Sequence, residues 1–268
     1  MSASAVGALT RASWYQARSY RLSLVMQVAG ILLTVVPIYF IAHALQPTMV
    51  GAIARESEQY FSFVLAGSVG LMFVTAAMTV LPGSIAGGIS TGYFEALLMT
   101  RAPVPWVLAG LSSYGLLLTF TRTSVMLIAG WALGANLAWS QIGPAVIVLA
   151  LLVLAHWGIG LVASALVIAF RTAGPLTQIF TTLSIFFGGV YYPVTAIPSW
   201  LGVIAKLTPL AYGLKSFRRV LLQGESLAAV GPDLVILAGM GAIALAVGAF
   251  SIRLALRYAR KAGTLGMY

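Results

Sequence analysis

The residues able to do chemistry are few, and their spacing rules out most of what they could do. Three lysines, Lys206, Lys215 and Lys261, are followed by Leu, Ser and Ala. A phosphate-cradling loop needs glycine, lysine and serine or threonine in succession. Gly213-Leu214-Lys215-Ser216 inserts a residue and lacks the upstream glycine spacing, so ATP hydrolysis by that route is excluded. The two histidines, His43 and His156, have no carboxylate at ligand spacing, and neither a metal site nor an acid–base pair is expected. With no cysteine, disulfides and thiolate chemistry are absent as well. What remains are isolated polar groups in apolar runs. His156 reads as a bundle-facing polar contact. Arg122 would cost about 2.5–3.5 kcal/mol at a membrane centre, so it should face protein or water. Two roles stay open for it: a structural pairing, with Glu95 or a backbone carbonyl near the cytoplasmic end, or a substrate contact.

Composition says what positions these groups. The 268 residues are 60% hydrophobic and 7% charged, with a mean hydropathy of +1.00. Apolar runs recur along nearly the whole chain, which makes it a polytopic membrane protein. The net charge of +10 lies at membrane edges and chain ends, suiting anionic headgroups and not nucleic acid. The opening stretch holds Arg11, Arg18 and Arg21 without a short apolar core and cleavage site, so the first span is expected to serve as insertion signal.

Six spans are expected: Leu22–Leu45, Tyr60–Leu81 stopped by Pro82-Gly83, Trp106–Leu133, Ile142–Phe170, Leu176–Tyr192 and Leu234–Leu254. Residues 1–21 form an interfacial arm, 22–192 carry spans one to five, 193–229 an outer hairpin, and 230–268 the last span and a basic tail. Together they make a single transmembrane unit. Both ends are basic and should be cytoplasmic, which demands an even number of crossings. The segment Phe187–Gly224, broken by Pro193, Pro198 and Pro209, therefore becomes a re-entrant hairpin on the outer face. Pro198 fits the first turn of a short helix, Ser199 to Lys206, and Trp200 suits a membrane boundary. Thr208 and Pro209 fit the cap and first turn of a second helix, terminated by Gly224. Leu210, Leu214, Phe217 and Leu221 share its apolar face, while Lys215, Arg218 and Arg219 face headgroups or water. Those three cations stand against the positive-inside rule and are the anomaly of the reading.

Between the second and third spans a glycine-rich turn (Gly83, Gly87, Gly88, Gly92) leads into Tyr93–Arg101. Phe94, Leu97 and Leu98 recur at i, i+3 and i+4, which predicts a short amphipathic helix presenting an apolar knob to a soluble partner. Thr91 can cap it, and Glu95 suits its positive end.

The segment Gly92-Tyr-Phe-Glu95-Ala-Leu97-Leu98-Met-Thr100 resembles the coupling helix of ABC-2 type transporter permeases, with Ser90 and Thr91 where that family usually carries two charged residues. The stretch from Gly189 through Tyr192-Pro193, Pro198, Trp200, Thr208-Pro209 and Phe217-Arg218 to Gly224 is similar to the family's second signature. The resemblance implies an all-α integral membrane permease with an N-terminal interfacial helix, six spans, a cytoplasmic coupling helix and the outer hairpin. It implies a homodimer in a bacterial plasma membrane that recruits two ABC ATP-binding subunits, with ATP and Mg held by those subunits and no cofactor on this chain. The coupling residues would be Gly92, Tyr93, Phe94, Glu95, Leu97, Leu98, Thr100 and Arg101. Arg122, His156, Phe187, Tyr191 and Tyr192 would line the translocation path. The expected cargo is a hydrophobic or amphiphilic small molecule; a lipid-linked polysaccharide or glycolipid is the alternative. An ion-coupled secondary transporter fits less well, because no carboxylate lies inside an expected span.

Overall fold

The computed structural model describes Gly7, residues 21–172 and residues 174–261. All secondary structure among the described residues is helical: α1 Arg21–Ile53, α2 Tyr60–Ser90, α3 Tyr93–Leu98, α4 Val104–Ala132, α5 Ile142–Phe170, α6 Gly174–Phe187, α7 Gly202–Lys206, α8 Pro209–Gln223 and α9 Gly231–Lys261. Five of these helices (α1, α2, α4, α5 and α9) are long and apolar enough to cross a membrane. The interfacial arm falls, apart from Gly7 and Arg21, outside the described residues.

Two expected helix stops do not occur. α1 runs on through Pro37 and Pro47 to Ile53, and α2 passes Pro82 and Gly83 to end at Ser90. Gly83, Gly87 and Gly88 are thus helical and form no turn. In hydrocarbon a broken helix strands several backbone groups with no water to bond them, whereas an internal proline forfeits little more than one hydrogen bond. The third and fourth spans lie where the apolar runs put them. The fifth is shorter than expected: α6 has 14 residues, about 21 Å of helix against a hydrocarbon core of about 30 Å. The sixth is longer, from Gly231 to Lys261.

α2 is the axis of the bundle, with every residue from Tyr60 to Gly70 buried. α5 packs on one side of it and α9 packs on α5. The α5–α9 seam is close because small residues meet: a Cβ on Gly158 would lie 2.4 Å from the Ala244 carbonyl carbon, and one on Gly248 would lie 2.5 Å from Gly158 O. Apolar side chains form two clusters, one at each end. Phe63, Val69, Leu152, Leu214 and Phe217 belong to the first. Leu81, Ile85, Phe94, Leu161, Val167 and Leu256 belong to the second. These clusters fix what is displayed at each end of the molecule, the α3 end and the hairpin end.

Candidate functional site

At the α3 end, Gly92 occupies the position before the helix with φ +71, a left-handed conformation that favours glycine. Thr91 does not cap α3. Its hydroxyl instead donates back to Gly87 O at 2.9 Å and Gly88 O at 3.3 Å, closing the last turn of α2. α3 is tied down by Phe94, which is 1% exposed in the cluster with α2, α5 and α9. Gly88 admits it: a Cβ there would lie 3.1 Å from the Phe94 Cβ. The apolar spacing of Phe94, Leu97 and Leu98 therefore marks the face turned toward the bundle, with Phe94 buried and both leucines half-buried. This corrects the expected knob, because burying that face gains more than displaying it. The displayed residues are Tyr93, Ala96, Met99 and Thr100, with Met99 87% exposed. Glu95 lies in the first turn, and its Oε2 is buried without a hydrogen-bond partner.

Glu95 does not pair with Arg122. Arg122 lies 18 residues beyond Val104, about 27 Å along α4 from the end that carries α3. It is half-buried within α4. His156 is 1% exposed on α5; its Nδ1 lies 2.9 Å from Leu152 O, and its Nε2 has no partner. Phe187 ends α6, and Tyr191 and Tyr192 follow it. Tyr191 O accepts a 2.8 Å hydrogen bond from the Tyr60 hydroxyl, and the Tyr192 hydroxyl donates to Phe186 O. The five expected path residues thus sit on α4, on α5 and at the hairpin entrance. An apolar cavity of about 250 Å³ between α2, α4, α5 and α8 is lined by other residues, among them Phe73, Phe120, Trp139, Leu149 and Phe217. No sequence signal separates these side chains from the lipid-facing ones, since both are simply apolar.

At the hairpin end the first helix is shorter than expected. Pro198 opens a turn, accepting from Leu201 N and Gly202 N, and α7 begins only at Gly202. Trp200 is 75% exposed beside it. Thr208 and Pro209 do start α8, and Gly224 ends it at φ +73. The Thr208 hydroxyl makes no cap, however, and donates to Ile204 O at 3.0 Å. Pro193 is buried.

The cation cluster is where the sequence reading needs its largest correction. Arg218 meets neither headgroup nor water: it is 1% exposed. Its Nε donates to Phe63 O at 3.1 Å, Nη2 to Val190 O at 2.9 Å and Nη1 to Glu56 Oε2 at 3.0 Å. Its guanidinium carbon lies 3.4 Å from the centre of the Phe63 ring. Gly67 makes the space, since a Cβ there would lie 2.3 Å from Val190 O and 2.6 Å from Arg218 Nη2. Burial pulls the Arg218 pKa down to about 10 against the upward pull of Glu56, which leaves the side chain charged at neutral pH. Arg219 pairs with Glu225, and Lys215 Nζ lies 2.9 Å from Asp233 Oδ2.

The two ends therefore differ in charge. Arg55, Lys206, Lys215, Arg218 and Arg219 face four acids, Glu56, Glu58, Glu225 and Asp233, at the hairpin end. Arg101, Arg171, Arg253, Arg257, Arg260 and Lys261 gather with Glu95 at the α3 end.

A comparison with curated proteins finds no match. The ABC-2 type transporter family model matches residues 4–222, most of the chain, including the first segment on which the resemblance rests and all but the last two residues of the second. The chain belongs to the ABC-2 type transporter family and is a transmembrane subunit of an ABC transporter, a class of permease that usually works with an ATP-binding subunit.

Proposed function

We propose that this chain is one protomer of a homodimeric exporter, driven outward by two ATP-binding subunits that hold ATP and Mg. The observation that carries this reading is α3, a short helix anchored through buried Phe94 with Tyr93, Ala96 and Met99 displayed. A partner pressing on that face would move α2 directly, because α3 follows α2 after two residues and Phe94 packs into its end. Half-buried Glu95, whose Oε2 has no hydrogen-bond partner, would meet a basic group of the ATP-binding subunit. The cation surplus at the α3 end supports a cytoplasmic placement of that end and of both termini. α6, continued by buried Gly188, Gly189 and Val190, would complete an even number of crossings in a bacterial inner membrane. The apolar cavity supports a hydrophobic or amphiphilic cargo over a hydrated glycan.

The test is co-purification with the ATP-binding subunit. Met99→Asp places a charge on the displayed face and leaves the bundle untouched. It should reduce the co-purified subunit at least tenfold and abolish export, with no change in expression. Normal export by this variant would remove α3 as the contact.

A further inference from the structure

We infer that a second cavity, at the hairpin end, binds the anionic headgroup of a phosphate-bearing amphiphile. It encloses about 620 Å³, within the range of ordinary small-molecule sites, between the α1–α2 loop, the hairpin and the start of α9. Four cations line it, Arg55, Lys206, Lys215 and Arg219, with three acids, Glu56, Glu225 and Asp233.

The acids are already engaged. Glu56 is held by Arg218 at 3.0 Å, Glu225 by Arg219, and Asp233 by Lys215 at 2.9 Å and Arg219 at 3.9 Å. Glu225 binds tightly enough to hold the Arg219 guanidinium above its ordinary value. Arg55 and Lys206 are different: among the described residues neither has a carboxylate within salt-bridge distance. Two uncompensated cations from different segments lining one cavity favour an anion there. A zwitterionic headgroup would bring its own cation into this ring and gain less.

The hairpin segment that carries Lys206 identifies the rest of the ligand. Along the chain around Lys206, Trp200 is 75% exposed, Val203 61% and Leu207 71%. Water would not favour that display, but acyl chains would cover it. The cations suit a phosphate group and the exposed apolar residues of the same segment suit a hydrocarbon chain attached to it. A soluble phosphate would use only the first. This site does not depend on the export reading, because it requires only the hairpin and the adjoining loop.

The full-length chain, purified in neutral detergent, is titrated with dihexanoyl phosphatidylglycerol, dihexanoyl phosphatidylcholine and inorganic phosphate. Phosphatidylglycerol should bind at least tenfold tighter than phosphatidylcholine. The double variant Arg55→Gln/Lys206→Gln, confined to exposed side chains, should remove that preference and leave the melting temperature unchanged. Trp200→Ser should weaken phosphatidylglycerol and leave inorganic phosphate unchanged. Equal affinity for the two lipids, or undiminished phosphatidylglycerol binding by the double variant, would overturn the site. Inorganic phosphate binding as tightly as phosphatidylglycerol would overturn the amphiphile and leave a soluble phosphate compound in its place.

Discussion

Arg218 shows how one buried cation can hold three segments together. Its guanidinium bonds the backbone at Phe63 on α2, the backbone at Val190 after α6, and the carboxylate of Glu56 in the α1–α2 loop. Removing one partner of such a pair leaves a charge desolvated and unpaired, which typically costs about 3 kcal/mol or more. Glu56→Ala should therefore lower the melting temperature of the purified chain sharply. Glu56→Gln should cost less, because the amide oxygen still accepts from Nη1. An equal, small shift for both variants would show that the pair contributes little. The sequence flagged Arg218 only as a cation on the wrong side. Its carboxylate lies 162 positions away, and no local spacing reports a contact of that range.

At the scale of helices, periodicity located the elements better than their ends. The apolar spacing in α3 was legible, but spacing alone does not say whether an apolar face turns outward or inward. Only the space left by Gly88 decides it for Phe94. Pro82 reads as a stop by local rules, and lies inside α2 because hydrocarbon penalises interruption more than it penalises proline. The ends of α8, at Pro209 and Gly224, were legible because turn chemistry is local, although Thr208 makes no side-chain cap. The α5–α9 seam was not, since its small residues are scattered among many similar ones. Gly248 meets Gly158 O and Leu161 there. Gly248→Leu should force the helices apart at a cost of roughly 1–3 kcal/mol, with Gly239→Leu, where nothing lies within 4 Å, as the neutral control. Thermal unfolding of both variants measures the difference, and equal melting temperatures would remove the seam as a stabilising contact.

For the molecule as a whole, composition was enough to place it in a membrane, and the two basic ends were enough to orient it on paper. What the sequence left unresolved was the cation cluster of the hairpin, which is balanced by acids lying close in space, Glu56 among them 162 positions away. The orientation is open to a clean measurement because the chain has no cysteine. Met99→Cys and Ser226→Cys are both exposed positions at opposite ends. In intact cells a membrane-impermeant maleimide should label position 226 and spare position 99 until the membrane is opened. The reverse pattern would invert the topology.

The unequal ends also have an electrical consequence. Among the side chains described near the two ends, six basic residues meet one acid at the α3 end, a surplus of five, and five meet four at the hairpin end, a surplus of one. Each elementary charge moved across 100 mV is worth about 2.3 kcal/mol. Inverting the molecule would therefore carry a difference of four charges through the field, roughly 9 kcal/mol at 100 mV. A membrane potential thus separates the two orientations of these charges in energy, independently of helix packing.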